Sequence, residues 1–277
     1  MKRQKTLALA LSGGGARGIA HIGFLKVLSD SGLHFDYVCG TSFGGFVGAA
    51  LAVGITPMEL EKEALRISRT GEFIRLLDPN PLRRGFLEGN RVKNYIEKLL
   101  GGNHEFDNLL FPLQMVAVDL SSGTEVVLGS GDLLTAVYAT IAIPGIFNPV
   151  ERQGRLLVDG GVLNNLPVDH ARATGADVVI AVNVQPLVGL ENRWDFSRSS
   201  KRLIPDALIS LYRAEVIQSS QLTRMKLRNF PPDLLIEPQI PEDIDSLFGF
   251  REARVILETG EIAAINAITK IKQCLEK

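Results

Sequence analysis

Short, unbroken apolar runs alternate with longer stretches whose apolar residues recur at helical spacing, most clearly in the first third of the chain. Thr6 to Leu11 reads as a buried strand. Arg17 to Asp30 follows as a helix, with Ile19, Ile22, Phe24, Leu25 and Leu28 on its apolar face and Gly32 as its stop. A second strand at Tyr37 to Cys39 leads into a helix of small residues from Phe43 to Val53, whose glycines and alanines suit close packing on a sheet. From Thr56 to Gly102 the pattern is helical and more polar, with Pro57 marking a helix start and Asn90 an N-cap. Leu113 to Asp119 and Glu125 to Leu128 read as strands joined through Ser121-Ser122-Gly123-Thr124, which has hairpin chemistry. A helix from Asp132, strands at Arg155 to Val158 and Asp177 to Val184, and a terminal helix or helix pair from Arg251 to Leu275 complete the reading. Strands alternating with helices predict an α/β fold with a mostly parallel sheet covered on both faces.

Composition narrows the class. With 277 residues and 45% hydrophobic content, the expectation is one domain spanning 1–277: a motif-bearing core at about 5–185 and a C-terminal helical segment at about 200–277 packed on it. Acidic and basic residues nearly cancel, 31 against 30, with no long single-sign block, so a nucleic-acid partner is not expected. Cys39 and Cys274 have no metal-ligand or disulfide spacing, which fits a reducing, cytoplasmic compartment. The apolar runs Leu7 to Leu11 and Gly40 to Ile55 are too short or too glycine-broken to span a bilayer, so any contact with the inner face of a membrane is expected to be peripheral. Two segments invite a lipid-facing reading: Phe73, Ile74, Leu76, Leu77, Phe86 and Leu87 among Arg75, Arg83 and Arg84, and the Val188 to Pro205 excursion with Trp194 and Phe196. Local packing explains either at least as well.

Gly40-Thr41-Ser42-Phe43-Gly44 is a GxSxG sequence between a predicted strand and a predicted helix, the context a nucleophile elbow requires. Gly13-Gly14-Gly15-Ala16-Arg17-Gly18 follows the first strand and opens the first helix. Converging backbone N–H groups there would serve a phosphate or the oxyanion of acyl transfer. Gly13, Gly15 and Gly18 also satisfy a dinucleotide pattern, but the ribose-binding acid should close the second strand, and Asp36 precedes it. The oxyanion reading is favoured, with Gly14, Gly15 and then Ala16 or Arg17 as donors. Asp159-Gly160-Gly161 ends another predicted strand, which in a parallel sheet could bring its carboxylate to the edge that carries Ser42.

A Ser-His-Asp triad needs a histidine, and the chain offers His21, His34, His104 and His170. His34 and His104 stand outside any motif, and His21 lies on the first helix. His170 has the chain order of a triad but lies only 11 residues past Asp159, in a helix opened by Pro167. The alternative is a dyad in which Asp159 takes the Ser42 proton directly. A free aspartate, with a pKa of about 3.9, is a weak base for a hydroxyl unless burial raises it.

The ordered set GGGARG, GTSFG and DGG resembles the patatin-like phospholipases. The resemblance runs from about Lys5 to Gln185 and extends to Ala142-Ile143-Pro144-Gly145-Ile146-Phe147 and Leu163-Asn164-Asn165-Leu166-Pro167, which look like the bacterial branch related to the neuropathy target esterase catalytic domain. It implies a three-layer α/β sandwich related to α/β-hydrolase-type folds, and hydrolysis of lipid acyl esters by a Ser42–Asp159 dyad without cofactor or metal. It also implies an oxyanion hole at Gly13, Gly14, Gly15, Ala16, Arg17 and Gly18, and Gly40, Gly44, Gly160 and Gly161 as motif glycines. The competing reading is a non-catalytic nucleotide-binding or regulatory α/β module. Head group, acyl-chain preference and oligomeric state stay open.

Overall fold

The computed structural model describes residues 5–76, 78, 87–185 and 206–276. Leu77, Arg83, Arg84, Phe86, the 188–205 excursion, and the side chains of Phe73 and Ile74 lie outside the described residues. Five strands form the parallel part of an eight-stranded sheet: β1 (Leu7–Leu11), β2 (Tyr37–Thr41), β3 (Leu113–Asp119), β7 (Val178–Val182) and β8 (Leu234–Ile236), ordered β3-β2-β1-β7-β8. β4 (Thr124–Leu128), β5 (Val150–Arg152) and β6 (Arg155–Asp159) extend it through antiparallel pairings.

β1 explains the layering. Its odd positions, Leu7, Leu9 and Leu11, are large and enter the main core, while Ala8 and Ala10 face the opposite side beside Val179, Ala181 and Val168. Strand side chains alternate between faces, so large residues on one and small residues on the other set a thick and a thin covering layer. The thick layer contains α1 (Ile19–Asp30), α2 (Phe43–Ala52), α3 (Pro57–Thr70), α6 (Leu133–Thr140) and α9 (Ala253–Glu276); α7 (Val168–Ala173) and α8 (Asp206–Asn229) lie on the other side. The short α4 (Glu72–Leu76) and α5 (Asn90–Leu99) pack at the periphery of the thick layer. The result is the expected three-layer α/β architecture.

Local chemistry explains most boundaries. Thr56 caps α3 in a capping box: its Oγ1 accepts from Glu59 N at 3.2 Å, and Glu59 Oε2 accepts from Thr56 N at 2.8 Å, with Pro57 at the first turn. Asp132 caps α6 through Thr135 N. Asn90 is a correction. Gly89 is the capping residue of α5 and Asn90 the first helical one, because Asp78, from outside the helix, accepts from Gly89 N at 2.8 Å and Arg91 N at 3.2 Å.

The second correction is topological. β6 does not run parallel to the sheet; it pairs antiparallel with β3. β4 occupies one edge of β3 along Met115–Asp119. The other edge is shared: Thr41, the last residue of β2, pairs with Val116, and Asp159, the last residue of β6, pairs with Ala117. Two strands thus arrive from opposite directions, and their C-terminal ends meet beside neighbouring residues of β3. Among the described residues no helix is long and apolar enough to cross a membrane.

Candidate active site

Ser42 sits where β2 turns into α2, with φ 52° and ψ −125°. A side chain at positive φ costs on the order of 1–3 kcal/mol and persists only where the surroundings enforce it. Here Ser42 N donates to Thr140 Oγ1 at 2.9 Å, Thr140 Oγ1 donates to Val116 O at 2.6 Å, and Thr41 Oγ1 donates to Asn164 O at 2.8 Å. The turn is so tight that a Cβ on Gly44 would stand 2.4 Å from Leu11 O, and one on Gly40 would stand 2.6 Å from Gly45 N. A serine at a helix N-cap ordinarily bonds the first helical turn. Ser42 makes no such bond, and its Oγ instead donates to Asp159 Oδ2 at 2.6 Å.

Asp159 is 3% exposed, and its other oxygen accepts from Gly161 N at 2.8 Å in the turn formed by Gly160 and Gly161. Burial pushes its carboxyl up to about 7; the hydrogen bonds from Ser42 and Gly161 pull the other way without cancelling it. The weak base of the free amino acid is thus a group that titrates near neutrality.

No histidine joins the pair. His21 Nε2 lies 2.8 Å from Ser12 O, and complete burial holds its ring down at about 4, hence neutral. His104 bonds Leu100 O, and His34 is exposed. His170 pairs with Glu125, in a cluster where Lys226 Nζ reaches Glu125 Oε2 at 3.2 Å and also bonds Asp169. Glu125, Asp169 and His170 are the one group among the described residues with metal-ligand geometry. The Lys226 ammonium already supplies the positive charge that a cation would bring there. Cys39 is buried, and burial pushes its thiol up to about 12, so it is no rival nucleophile.

The Gly13–Gly18 loop lies against Ser42, but its donors are unequal. Gly13 N donates to Asn165 O at 3.0 Å, Ala16 N to Ser246 O at 2.7 Å and Arg17 N to Gly14 O at 3.1 Å. Gly18 closes the single turn that runs from Gly15 and leads into α1. Gly14 N and Gly15 N have no protein partner among the described residues, and both glycines line the small cavity over Ser42 and Asp159. Of the donors expected there, Gly14 N and Gly15 N are free among the described residues, and those of Ala16 and Arg17 are taken.

Arg17 differs most from the expectation of a donor in the loop. Its side chain is buried, donating from Nε to Val184 O at 3.0 Å, from Nη1 to Pro241 O and Ile244 O at 3.1 and 3.2 Å, and from Nη2 to Ile240 O at 3.3 Å. Burial lowers its pKa to about 10, against the raising influence of Tyr212, Glu242 and Asp245. It ties the loop to the segment before α9. Arg17→Met is expected to leave these carbonyls without donors and to cost about 3 kcal/mol, read as a lower urea midpoint. Arg17→Lys, which lacks the planar fork, recovers only part of it.

Two cavities meet at Ser42. One, of about 190 Å³, is walled by Ile19, Ile22, Phe43, Phe46, Leu60, Ile96 and Phe147, with Leu76 and Leu87 from the stretch whose pattern invited a lipid-facing reading. Its polar residues beside Ser42 are Ser246 and the Tyr95–Glu63 pair, bonded at 2.7 Å. The other, of about 30 Å³, is lined by Gly14, Gly15, Asp159, Gln185 and by Tyr212, Glu215, Val216 and Ser219 of α8. The α8 residues recur at positions 1, 4, 5 and 8 of a helical stripe, a spacing visible in the sequence, although nothing in the sequence says what the stripe covers.

A family model described as patatin-like phospholipase matches residues 9–172. The chain is similar to an uncharacterized NTE family protein of Mycobacterium tuberculosis, 37% identical over 178 residues that make up 64% of this chain and 49% of the relative. It is also similar to the lysophospholipase nte1 of Aspergillus fumigatus, 33% identical over 184 residues, 65% of this chain and 12% of that protein. The chain thus spans about half the length of the first relative and a small part of the second. Among solved structures, VipD from Legionella pneumophila superposes with a TM-score of 0.50 at 15% identity, covering 96% of this chain and 67% of that one, a likeness of fold alone.

Proposed function

The chain belongs to the patatin-like phospholipase family, and from that premise we propose that it hydrolyses carboxylic esters of fatty acids in phospholipids or lysophospholipids. The observation that carries this reading is the 2.6 Å bond from Ser42 Oγ to a buried Asp159 carboxylate at the mouth of an apolar cavity. Asp159 takes the hydroxyl proton as Ser42 attacks the acyl carbonyl, and Gly14 N and Gly15 N receive the oxyanion. The fatty-acyl chain lies in the apolar cavity, and the alcohol portion leaves through the polar one. Water then releases the acid. The substrate is drawn from a micelle or from a membrane touched peripherally.

In this reading residues 1–277 work as one hydrolase domain, because the motif-bearing core and the C-terminal elements share the site: α8 lines the polar cavity, and Ser246 accepts from the loop. A nucleotide-binding or regulatory module is the weaker reading, since the glycine loop spends the N–H groups of Gly13, Ala16 and Arg17 on internal partners and is not an open phosphate nest. A fluorophosphonate probe should label the protein on Ser42, and long-chain lysophosphatidylcholine should yield free fatty acid. Labelling undiminished in Ser42→Ala, or no acid release from any acyl ester, would sink the proposal.

A further inference from the structure

Three motif segments meet on two consecutive residues that the chemistry above leaves without a part. Asn164 and Asn165 follow the turn made by Gly160–Val162, and both are buried. Asn164 N donates to Gly160 O at 2.8 Å, Asn164 O accepts from Thr41 Oγ1 at 2.8 Å, and Asn165 O accepts from Gly13 N at 3.0 Å. The Asp159 turn, the elbow and the glycine loop are thus fixed to one short stretch of chain. The two side chains diverge. Asn164 Nδ2 turns away from the site and donates to Glu125 Oε1 and Asp169 Oδ1 at 2.9 Å each. Asn165 lines the polar cavity, and its Nδ2 donates to Gly13 O at 3.4 Å. Gly13 is therefore held at both its N–H and its C=O by the same residue.

The second of these bonds bears on the oxyanion. In a trans peptide the C=O and N–H of one plane point in opposite directions, and among the described residues no peptide is cis. Whatever holds Gly13 O therefore aims Gly14 N, and whatever holds Gly14 O aims Gly15 N. Gly14 O accepts from Arg17 N at 3.1 Å, a main-chain bond independent of any side chain. Gly13 O is held by the Asn165 amide, whose nitrogen faces it because the reverse orientation would set two acceptors against each other. A peptide between two glycines has no Cβ on either side to resist rotation. Without a donor on Gly13 O it can turn over and carry Gly14 N–H away from the cavity.

Resting on the reading that Gly14 N and Gly15 N receive the oxyanion, we infer that Asn165 is a positioning residue for the hole: its side-chain amide locks the Gly13–Gly14 peptide with Gly14 N–H turned to the acyl carbonyl. It acts through Gly14 N and takes no part in proton transfer.

Asn165→Ala removes the side-chain donor and keeps the main-chain bond from Gly13 N. A donor deleted from an oxyanion hole costs about 10²–10³-fold, and here it is misaligned instead, so kcat on a long-chain p-nitrophenyl ester should fall about 30-fold with KM within about twofold. A trifluoromethyl ketone of the same acyl chain adds to Ser42 and leaves an oxyanion in the hole, so its Ki should rise by the same factor. The kcat/KM midpoint near pH 7 should stay in place, because Asp159 keeps its bonds to Ser42 and Gly161. The stoichiometry of fluorophosphonate labelling counts the active protein, so a loss of folded enzyme does not enter kcat. Asn165→Ser, whose hydroxyl stops short of Gly13 O, gives the same readings where the alanine variant is too unstable to purify. A kcat within about threefold of the parent, an unchanged ketone Ki, or a displaced pH midpoint overturns the inference. Ser42→Ala, assayed beside them, separates the two ideas: turnover retained there sinks the dyad reading, whereas its loss together with parent-like Asn165 variants sinks this inference alone.

Discussion

Asp159→Asn should lower kcat on any acyl ester by about 10⁴-fold while making the protein harder to unfold. Loss of a positioned general base, with the nucleophile and its surroundings intact, has an effect of that order. Asn keeps the acceptor for Gly161 N but cannot take the Ser42 proton. The stability gain comes from the sign of the pKa shift. Asp159 titrates at about 7 in the fold, well above its ordinary value, because burial disfavours the carboxylate. The native state therefore prefers the protonated form. That preference is fully present below the unfolded pKa and is lost as pH rises through about 7, where folding must bury a charge. At pH 8 the neutral amide should gain up to about 4 kcal/mol over the parent, and at pH 4 almost nothing. Thermal melts of both proteins at the two pH values check this, together with a kcat/KM profile of the parent that rises with pH through a midpoint near 7. Equal Tm differences at both pH values would show that Asp159 is not held as described.

The largest structural loss is expected where α1 and α9 cross. The two helices touch backbone to backbone: a Cβ on Gly23 would lie 2.1 Å from Leu257 O, and one on Gly260 would lie 2.0 Å from Ala20 O. Clashes with side-chain tips relax by rotamer changes, but a carbonyl in a helix cannot move alone. Gly23→Val should force the helices apart and loosen the packing of Ile256, Leu257 and Ile271, all of them buried. Each such side chain contributes about 2 kcal/mol when fully buried, so a loss of about 3 kcal/mol or more is expected in urea unfolding. Gly129→Ala, where the nearest atom would stand at 3.5 Å, should change stability by less than about 0.5 kcal/mol. Gly23→Ala and Gly260→Ala combined should cost less than their sum, because either one alone already opens the crossing.

Much of the site was legible because local chemistry writes it into consecutive residues. The elbow needs small neighbours at Gly40 and Gly44, a strand before and a helix after, and all of these are sequence-local. The Asp159 turn was legible as a motif but not in its direction. An antiparallel arrival depends on which edge of β3 stays free, and β4 decides that. The Arg17 fork was hidden for a similar reason: its acceptors at Val184, Ile240, Pro241 and Ile244 lie more than 160 residues away, and carbonyls have no sequence signature. β5 and β8 have three residues each, too short for a periodicity. The lining that α8 gives the polar cavity was missed because Tyr212, Glu215, Val216 and Ser219 sit in a polar helix, which reads as solvated until it is placed against something. The helical spacing of those four residues was the available signal.

The meeting of β2 and β6 along one edge of β3 also says where the chain can change length. Ser42 and Asp159 are 117 positions apart, yet their contact is gauged by two adjacent residues, Val116 and Ala117. Residues added to the outer β3–β4 turn, around Ser121 to Gly123, lie beyond that gauge and leave the contact intact. One residue inserted between Val116 and Ala117 would push the two strand ends apart by about 3.3 Å and turn one of them to the opposite face of the sheet. Descendants of this chain can therefore vary freely in that outer turn, while this short stretch of β3, which contributes no atom to the chemistry, is held to a fixed length.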